Sequence, residues 1–204
     1  MNYTNIPSDE LIAKVAEALK ARNITPIIVD TKEAALEEIK KLIPRGGSVM
    51  NGSSTTLQEI GFVDYLKEGT HGWDNVHEEI LKESDPTKRA RLRKESVLAD
   101  YFFGSVHAIT EAGQLLIASA SGSQMPSYSF TSDHVIWVAS VNKIVPDREA
   151  AFKRIEDYVF PLESKRMQSV GYPSSTIGRV LVFEREIMPN RHLTIILVKE
   201  KLGF

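Results

Sequence analysis

VMNGSSTTLQEI, residues 49–60, predicts a short buried strand, a tight turn of small hydroxyl residues and the first turn of a helix. Thr56 and Glu59 match the capping box T-x-x-E. Helix-start amides have no internal partner and lie at the positive end of the helix dipole, so the turn has two interpretations. Its residues either only cap the helix or seat a phosphate or carboxylate. The candidate ligand-binding residues here are Asn51, Gly52, Ser53, Ser54, Thr55 and Thr56.

Two helices and a strand are predicted before this stretch. A helix capped by Ser8 runs to about Arg22, a buried strand follows at residues 25–29, and a second helix ends before residue 44. Alternating helices and strands are typical of a parallel sheet covered by helices. In such sheets ligands bind where strands end and helices begin, which favours a ligand site at residues 51–56.

The second half of the chain is richer in short β-like runs. Residues 106–118 predict a hairpin with its turn at residues 111–113, and residues 134–141 predict a buried strand. A Ser/Gly/Pro-rich loop at residues 119–131 is long enough to suggest function. We predict an α/β fold with three layers, a mostly parallel sheet and helices on both faces. The domain is expected to span residues 1–204, with residues 1–22 as an N-terminal helix.

Composition narrows the classes of function. The chain has 204 residues and a formal net charge of -2, which argues against a general nucleic-acid binder. It contains 0 cysteines, which excludes thiolate zinc sites, iron–sulfur ligation by this chain and cysteine nucleophiles. No signal peptide and no apolar run of membrane-spanning length is visible, so we expect a cytoplasmic protein without membrane contact.

Four stretches together resemble the LUD domain family, the group that contains lactate utilization protein C. They are NGSSTTLQEIG at residues 51–61, ADYFFGSVHAITEAG at 99–113, MP followed by HVIWV and KIV at 125–145, and PSST followed by RHLTIILV at 173–198. The resemblance covers most of the chain. Two departures stand out: Ala112 replaces a threonine, and Gly178 replaces an aspartate, that the family often has.

The resemblance implies a fold similar to the ribose-5-phosphate isomerase and CoA-transferase superfamily. In sugar-phosphate isomerases of that fold, a similar Gly/Ser/Thr turn holds the phosphate. The resemblance also implies a role in oxidising lactate to pyruvate, alongside iron–sulfur partner subunits. This chain, having no cysteine, would carry no cluster itself, and we expect no cofactor in it.

Glu111 is the predicted catalytic carboxylate, because it lies at a predicted strand end where α/β sites collect. Its possible roles are general base, ligand for a substrate hydroxyl or anchor of the hairpin turn. Arg191, beside His192, either faces an anionic substrate or lies in a solvated turn. The histidine spacing predicts no metal site. Further candidate ligand-binding residues are Gly113, Ser174, Ser175 and Thr176.

Three hypotheses follow. The first is a LUD-type subunit of a lactate- or 2-hydroxy-acid-oxidising redox complex that binds an anionic small molecule, a carboxylate or phosphate, near Glu111. The second is a stand-alone sugar-phosphate isomerase-like or CoA-transferase-like enzyme that uses Glu111 as base or nucleophile. The third is a non-catalytic interaction subunit, which the departures at Ala112 and Gly178 favour.

Overall fold

The computed structural model describes residues 2–204. Its α-helices are α1 Asp9–Lys20, α2 Lys32–Leu42, α3 Thr55–Glu59, α4 Phe62–Glu68, α5 Val76–Lys82, α6 Pro86–Glu95, α7 Arg148–Arg154 and α8 Phe160–Ser169. Its strands are β1 Ile24–Val29, β2 Ser48–Asn51, β3 Asp74–Asn75, β4 Tyr101–Gly104, β5 Ala108–Thr110, β6 Leu115–Ser119, β7 His134–Ser140, β8 Ile144–Val145, β9 Arg179–Phe183 and β10 His192–Val198. Two π-helical segments, Ser127–Thr131 and Ile155–Val159, and two short 3-10 helices, Ser96–Leu98 and Val141–Lys143, are also present.

The main sheet has six parallel strands in the order β1-β10-β7-β4-β2-β3. Its central strands are almost entirely buried, as expected for parallel strands covered on both faces. All six strands run in one direction, so their carboxyl ends lie at one edge of the sheet. The segments that follow β2, β4, β7 and β10 therefore meet there.

A second sheet of four strands has the order β8-β5-β6-β9. β5 and β6 form an antiparallel pair, which confirms the hairpin predicted for residues 106–118. β9 pairs antiparallel with β6, and β8 pairs parallel with β5. The sequence analysis predicted the β5–β6 hairpin, but not the separate sheet that the hairpin forms with β8 and β9.

The two sheets and the helices form packed layers. α2, α3 and α4 cover one face of the main sheet. α1 and the second sheet bury the other face around Trp137, and α7 packs on the far side of the second sheet. The predicted α/β class, with a parallel sheet and helices on it, is confirmed, and the second sheet adds a layer. None of the helices formed by residues 2–204 has the length and apolar character needed to cross a membrane.

The start of α3 differs from the predicted capping box. Ser54 is the residue that caps the helix, and its hydroxyl accepts a hydrogen bond from the Leu57 amide at 3.2 Å. Thr56 is buried, and the carboxylate of Glu59 instead accepts a hydrogen bond from the Gly203 amide at 2.6 Å. The capping-box prediction is wrong because the helix begins two residues earlier than the motif requires, which frees Thr56 and Glu59 for contacts with distant segments.

Arg191 is neither solvated nor facing a ligand site. Its guanidinium is buried and forms an ion pair with Glu186, also buried. The same guanidinium donates to the backbone carbonyls of Ser127, Tyr128, Ser129 and Ser132. The second half of the predicted loop at residues 119–131 is thus an ordered π-helical turn wrapped around Arg191.

Candidate functional site

Three polar side chains from separate chain segments meet at the carboxyl edge of the main sheet. Lys143 follows β7, and its Nζ donates to Ser105 Oγ at 3.0 Å and to Thr56 Oγ1 at 3.2 Å. Ser105 follows β4, Thr56 follows β2, and their hydroxyls are 3.3 Å apart. β7, β4 and β2 are neighbours in the sheet, so the parallel topology brings these side chains together. This is the position at which α/β folds bind ligands.

Lys143 is only 1 % exposed. Burial, and next the charge of Arg154, lower the pKa of Lys143 to about 7, while Glu59 raises it less. A buried amine without a carboxylate partner is costly in its charged form. The ion pairs formed among residues 2–204 include neither Lys143 nor Arg154.

Arg154, from α7, is a second buried cation in this region. Its Nη1 donates to the carbonyl of His107, and its guanidinium lies 5.2 Å and 5.7 Å from the ring centroids of Tyr158 and Tyr3. Its Nε and Nη2 are buried and, among residues 2–204, have no hydrogen-bond partner. Burial lowers the pKa of Arg154 to about 10, so it remains charged at neutral pH.

His107 adds an uncharged imidazole. Burial, then Lys143 and Arg154, lower the pKa of His107 to about 3. Its Nδ1 accepts a hydrogen bond from the Ala118 amide at 3.0 Å, which places the proton on Nε2. We call Thr56, Ser105, His107, Lys143 and Arg154 the Lys143 cluster. Its charge is positive, so its chemistry suits an anion.

The segment after β10 covers the Lys143 cluster. A Cβ on Gly203 would lie 2.3 Å from Thr56 Oγ1 and 3.4 Å from Lys143 Nζ. Gly203 also has a φ of +57°, which favours glycine. Leu202 is buried against α3 and the main sheet, and the Gly203 amide is bound by Glu59. The backbone of this segment therefore closes the cluster on its outer side.

The predicted turn contributes unevenly to this region. Thr56 belongs to the Lys143 cluster and Ser54 caps α3, whereas Ser53 is exposed. The side-chain amide of Asn51 donates to the Gly52 carbonyl at 3.2 Å, and its oxygen lies 3.3 Å from His77 Nδ1. α3 has only five residues, so the case for a ligand here depends on Lys143 and Arg154 and not on the helix dipole.

The other predicted site residues lie elsewhere. The Glu111 carboxylate pairs with Lys14 of α1 at 2.7 Å, and Gly113 lies against the α1 backbone at Ala18 and Leu19. Their contacts with α1 are those of a structural turn, and the catalytic role of Glu111 stays a prediction. The residues after α8 are largely exposed and have no hydrogen bond to the Lys143 cluster; they are Ser174, Ser175 and Thr176.

The sequence analysis missed Lys143 and Arg154 as site residues. The burial of Arg154 could have been predicted, because Arg154 lies on the same face of α7 as Ala150 and Ala151, and that face is apolar. An arginine on a buried helix face requires an explanation. Lys143 follows a buried strand and begins the KIV stretch that resembles the family, but neither feature predicts that its amine is buried. Within the described part of the chain, histidine and acidic side chains form no group suited to a metal ion.

The Tyr128 hydroxyl packs beside Gly104, at the end of β4, and lies near Gly52. A Cβ on Gly104 would lie 1.7 Å from the Tyr128 hydroxyl oxygen, whereas one on Gly52 would meet its nearest atom, Gln124 Cβ, at 3.7 Å. Gln124 thus lies at the rim of the predicted turn. Close packing at Gly104 explains why a glycine ends β4.

We expect Gly104→Ala to lower the free energy of unfolding by about 1–3 kcal/mol, because Tyr128 is buried and cannot move aside freely. Urea denaturation measures the change. Gly52→Ala is the matched control and should stay within about 0.5 kcal/mol of wild type. Adding Tyr128→Phe to Gly104→Ala should restore part of the loss. Equal stability of the two alanine variants would contradict the packing argument.

Comparison with known proteins agrees with this fold. The family model described as LUD domain matches residues 12–198. A crystal structure of a DUF162 family protein from Deinococcus radiodurans is similar with a TM-score of 0.54 and 13% identity, over 94% of this chain and 99% of that one. A search of curated proteins gave no match. The chain belongs to the LUD domain family.

Proposed function

We propose that this LUD-domain chain acts in the use of lactate or a related 2-hydroxy acid and binds a small carboxylate or phosphate at the Lys143 cluster. The observation that carries the proposal is the pair of buried cations, Lys143 and Arg154, which form no ion pair among residues 2–204. A buried charge is normally paired. A bound anion would supply the missing partner of both groups.

The hydroxyls of Thr56 and Ser105 support the same proposal. Each lies within 3.2 Å of Lys143 Nζ, so an anion beside the amine would also meet two hydroxyl donors. The Nε2–H of His107 is a further uncharged donor in the region. The buried Nε and Nη2 of Arg154 have no acceptor among residues 2–204, and such donors favour an anionic ligand over a cation or a neutral apolar molecule.

Family membership supports the physiological part of the proposal. We infer a subunit that works with iron–sulfur partners, because lactate oxidation needs an electron acceptor and this chain has 0 cysteines to hold a cluster. Glu111, paired with Lys14, carries no part of this proposal. The stand-alone enzyme with Glu111 as base or nucleophile therefore has less support from the contacts than the anion-binding subunit has.

A thermal-shift screen of the purified chain tests anion binding. The panel contains lactate, pyruvate, inorganic phosphate, sugar phosphates, nucleotides and CoA esters. A ligand specific to the folded state should stabilise it by about 2.7 kcal/mol at a hundredfold excess over its dissociation constant. Arg154→Met should weaken that ligand about ten- to hundredfold, the effect of losing a charged hydrogen bond.

Lys153→Met is the matched control, because Lys153 is the exposed neighbour of Arg154 on the same helix. It should leave binding unchanged. The proposal fails if no ligand of the panel stabilises the folded wild type. It also fails if Arg154→Met and Lys153→Met bind the ligand equally well.

A further inference from the structure

The surroundings of the Lys143 amine suit a nucleophile as well as an anion-binding cation. Its Nζ is held between two hydroxyl oxygens, at 3.0 Å and 3.2 Å, and faces no carboxylate that would keep it protonated within an ion pair. The side chain is 1 % exposed, so its position is restrained. A restrained lysine amine in a desolvated site is typical of lysines that attack carbonyl carbons.

The protonation state suits this chemistry. Because burial and Arg154 lower the pKa of Lys143 to about 7, a large share of molecules carries a neutral amine near neutral pH. Only the neutral amine has a free electron pair. An ordinary exposed lysine, with a pKa near 10.5, is almost entirely protonated under the same conditions.

Arg154, whose charge acts on Lys143, offers a binding group for a carboxylate of the carbonyl compound. Its buried Nε and Nη2 are two unpaired donors, and a guanidinium binds a carboxylate through two such donors. A ligand that satisfies both residues needs a carboxylate for Arg154 and a carbonyl carbon for Lys143. Molecules with both groups are oxo acids.

We propose that Lys143 forms an imine with the carbonyl carbon of a 2-oxo acid whose carboxylate is bound by Arg154. The inference rests on the proposed function, since a 2-oxo acid is the oxidised counterpart of a 2-hydroxy acid. Nζ attacks the carbonyl carbon, a C–N bond forms, and the carbonyl electron pair moves to oxygen, giving a carbinolamine. The oxygen then leaves as water with the two amine hydrogens, and the C=N bond remains. The hydroxyls of Ser105 and Thr56, both within hydrogen-bonding distance of Nζ, pass these protons.

Reductive trapping tests the inference on the full chain. The protein is incubated with pyruvate and sodium cyanoborohydride for several hours, because Gly203 covers the amine. Intact mass and peptide mapping then locate the adduct. We expect one pyruvate-derived adduct on Lys143 in wild type and none with lactate, which has no carbonyl. Arg154→Met should reduce the labelling at least tenfold.

Two further variants and one measurement complete the design. Lys143→Arg keeps the charge and should remove the adduct, whereas Lys153→Met should be labelled like wild type. Thermal denaturation of each variant confirms that it is folded. Labelling spread evenly over exposed lysines, or absent from Lys143, would overturn the inference.

The outcomes separate this inference from the proposed function. If pyruvate stabilises the wild type through Arg154 but leaves no adduct on Lys143, anion binding stands and imine formation is refuted. If pyruvate neither stabilises nor labels the protein, the imine is refuted, and the rest of the ligand panel decides whether the cluster binds another anion.

Discussion

Replacing Arg191 with methionine is expected to lower the free energy of unfolding by about 3–5 kcal/mol. The change leaves Glu186 as a buried charge without its partner. It also removes a donor from four backbone carbonyls of the π-helical turn at residues 127–132. Methionine fills much of the volume of the arginine side chain, so the loss of stability reflects the lost polar contacts more than a cavity. Urea denaturation of the two proteins at one pH gives the difference.

Arg89→Met is the matched control for this prediction. Arg89 is exposed on α6, a helix without a buried residue, and its replacement should change stability by no more than about 0.5 kcal/mol. Adding Glu186→Gln to Arg191→Met should recover part of the loss, because the uncompensated charge is then gone. An Arg191→Met protein within 1 kcal/mol of wild type would contradict the buried-pair argument.

Lys143→Met is expected to change how stability depends on pH. The pKa of Lys143 falls from its usual value of 10.5 to about 7 in the folded protein. Between these values the unfolded chain binds a proton that the folded chain does not, so the free energy of unfolding of wild type rises with pH. The expected slope from this group is about 1.4 kcal/mol per pH unit. Below about pH 7 the full cost of burying the charged amine is present, and above pH 10.5 this cost is absent.

The methionine variant lacks this titration. Its stability relative to wild type should therefore fall by about 2.7 kcal/mol between pH 7.5 and 9.5, measured by urea denaturation at both values. Lys153→Met, which removes an exposed lysine, should show the wild-type dependence on pH in this range. Identical pH dependence in the two variants would mean that Lys143 titrates normally. A lysine that costs stability at neutral pH is what a functional site would retain.

The sequence predicted the fold through local patterns. Helix and strand periods alternate in the first half, and alternation by itself indicates a parallel sheet. The rule that ligands bind at strand ends also pointed to the neighbourhood of Thr56, where the structure places Ser105 and Lys143. The separate second sheet was not predictable in this way, because the pairing of β6 with β9 joins residues far apart in the chain.

The charged part of the site depends on the same kind of long-range packing. Lys143 lies in the mixed sequence VNKIV after β7, and distant segments after β2, β4 and β10 bury it. Arg191 was misjudged for the same reason, since the carbonyls that surround it come from residues about sixty positions away. Spacing along the chain shows which residues share a helix face, but not which distant segment covers them.

The segment that carries Leu202 and Gly203 affects how a ligand is captured. A ligand that approaches Lys143 from the side of Gly203 requires this segment to lift, and lifting it exposes Leu202, which costs about 1.5–3 kcal/mol. Open molecules would then make up about a tenth to a hundredth of the population, and the apparent dissociation constant would be weaker than the intrinsic one by the same factor. Association would be slow for so small a ligand, and a bound molecule would be retained correspondingly long once the segment had closed over it.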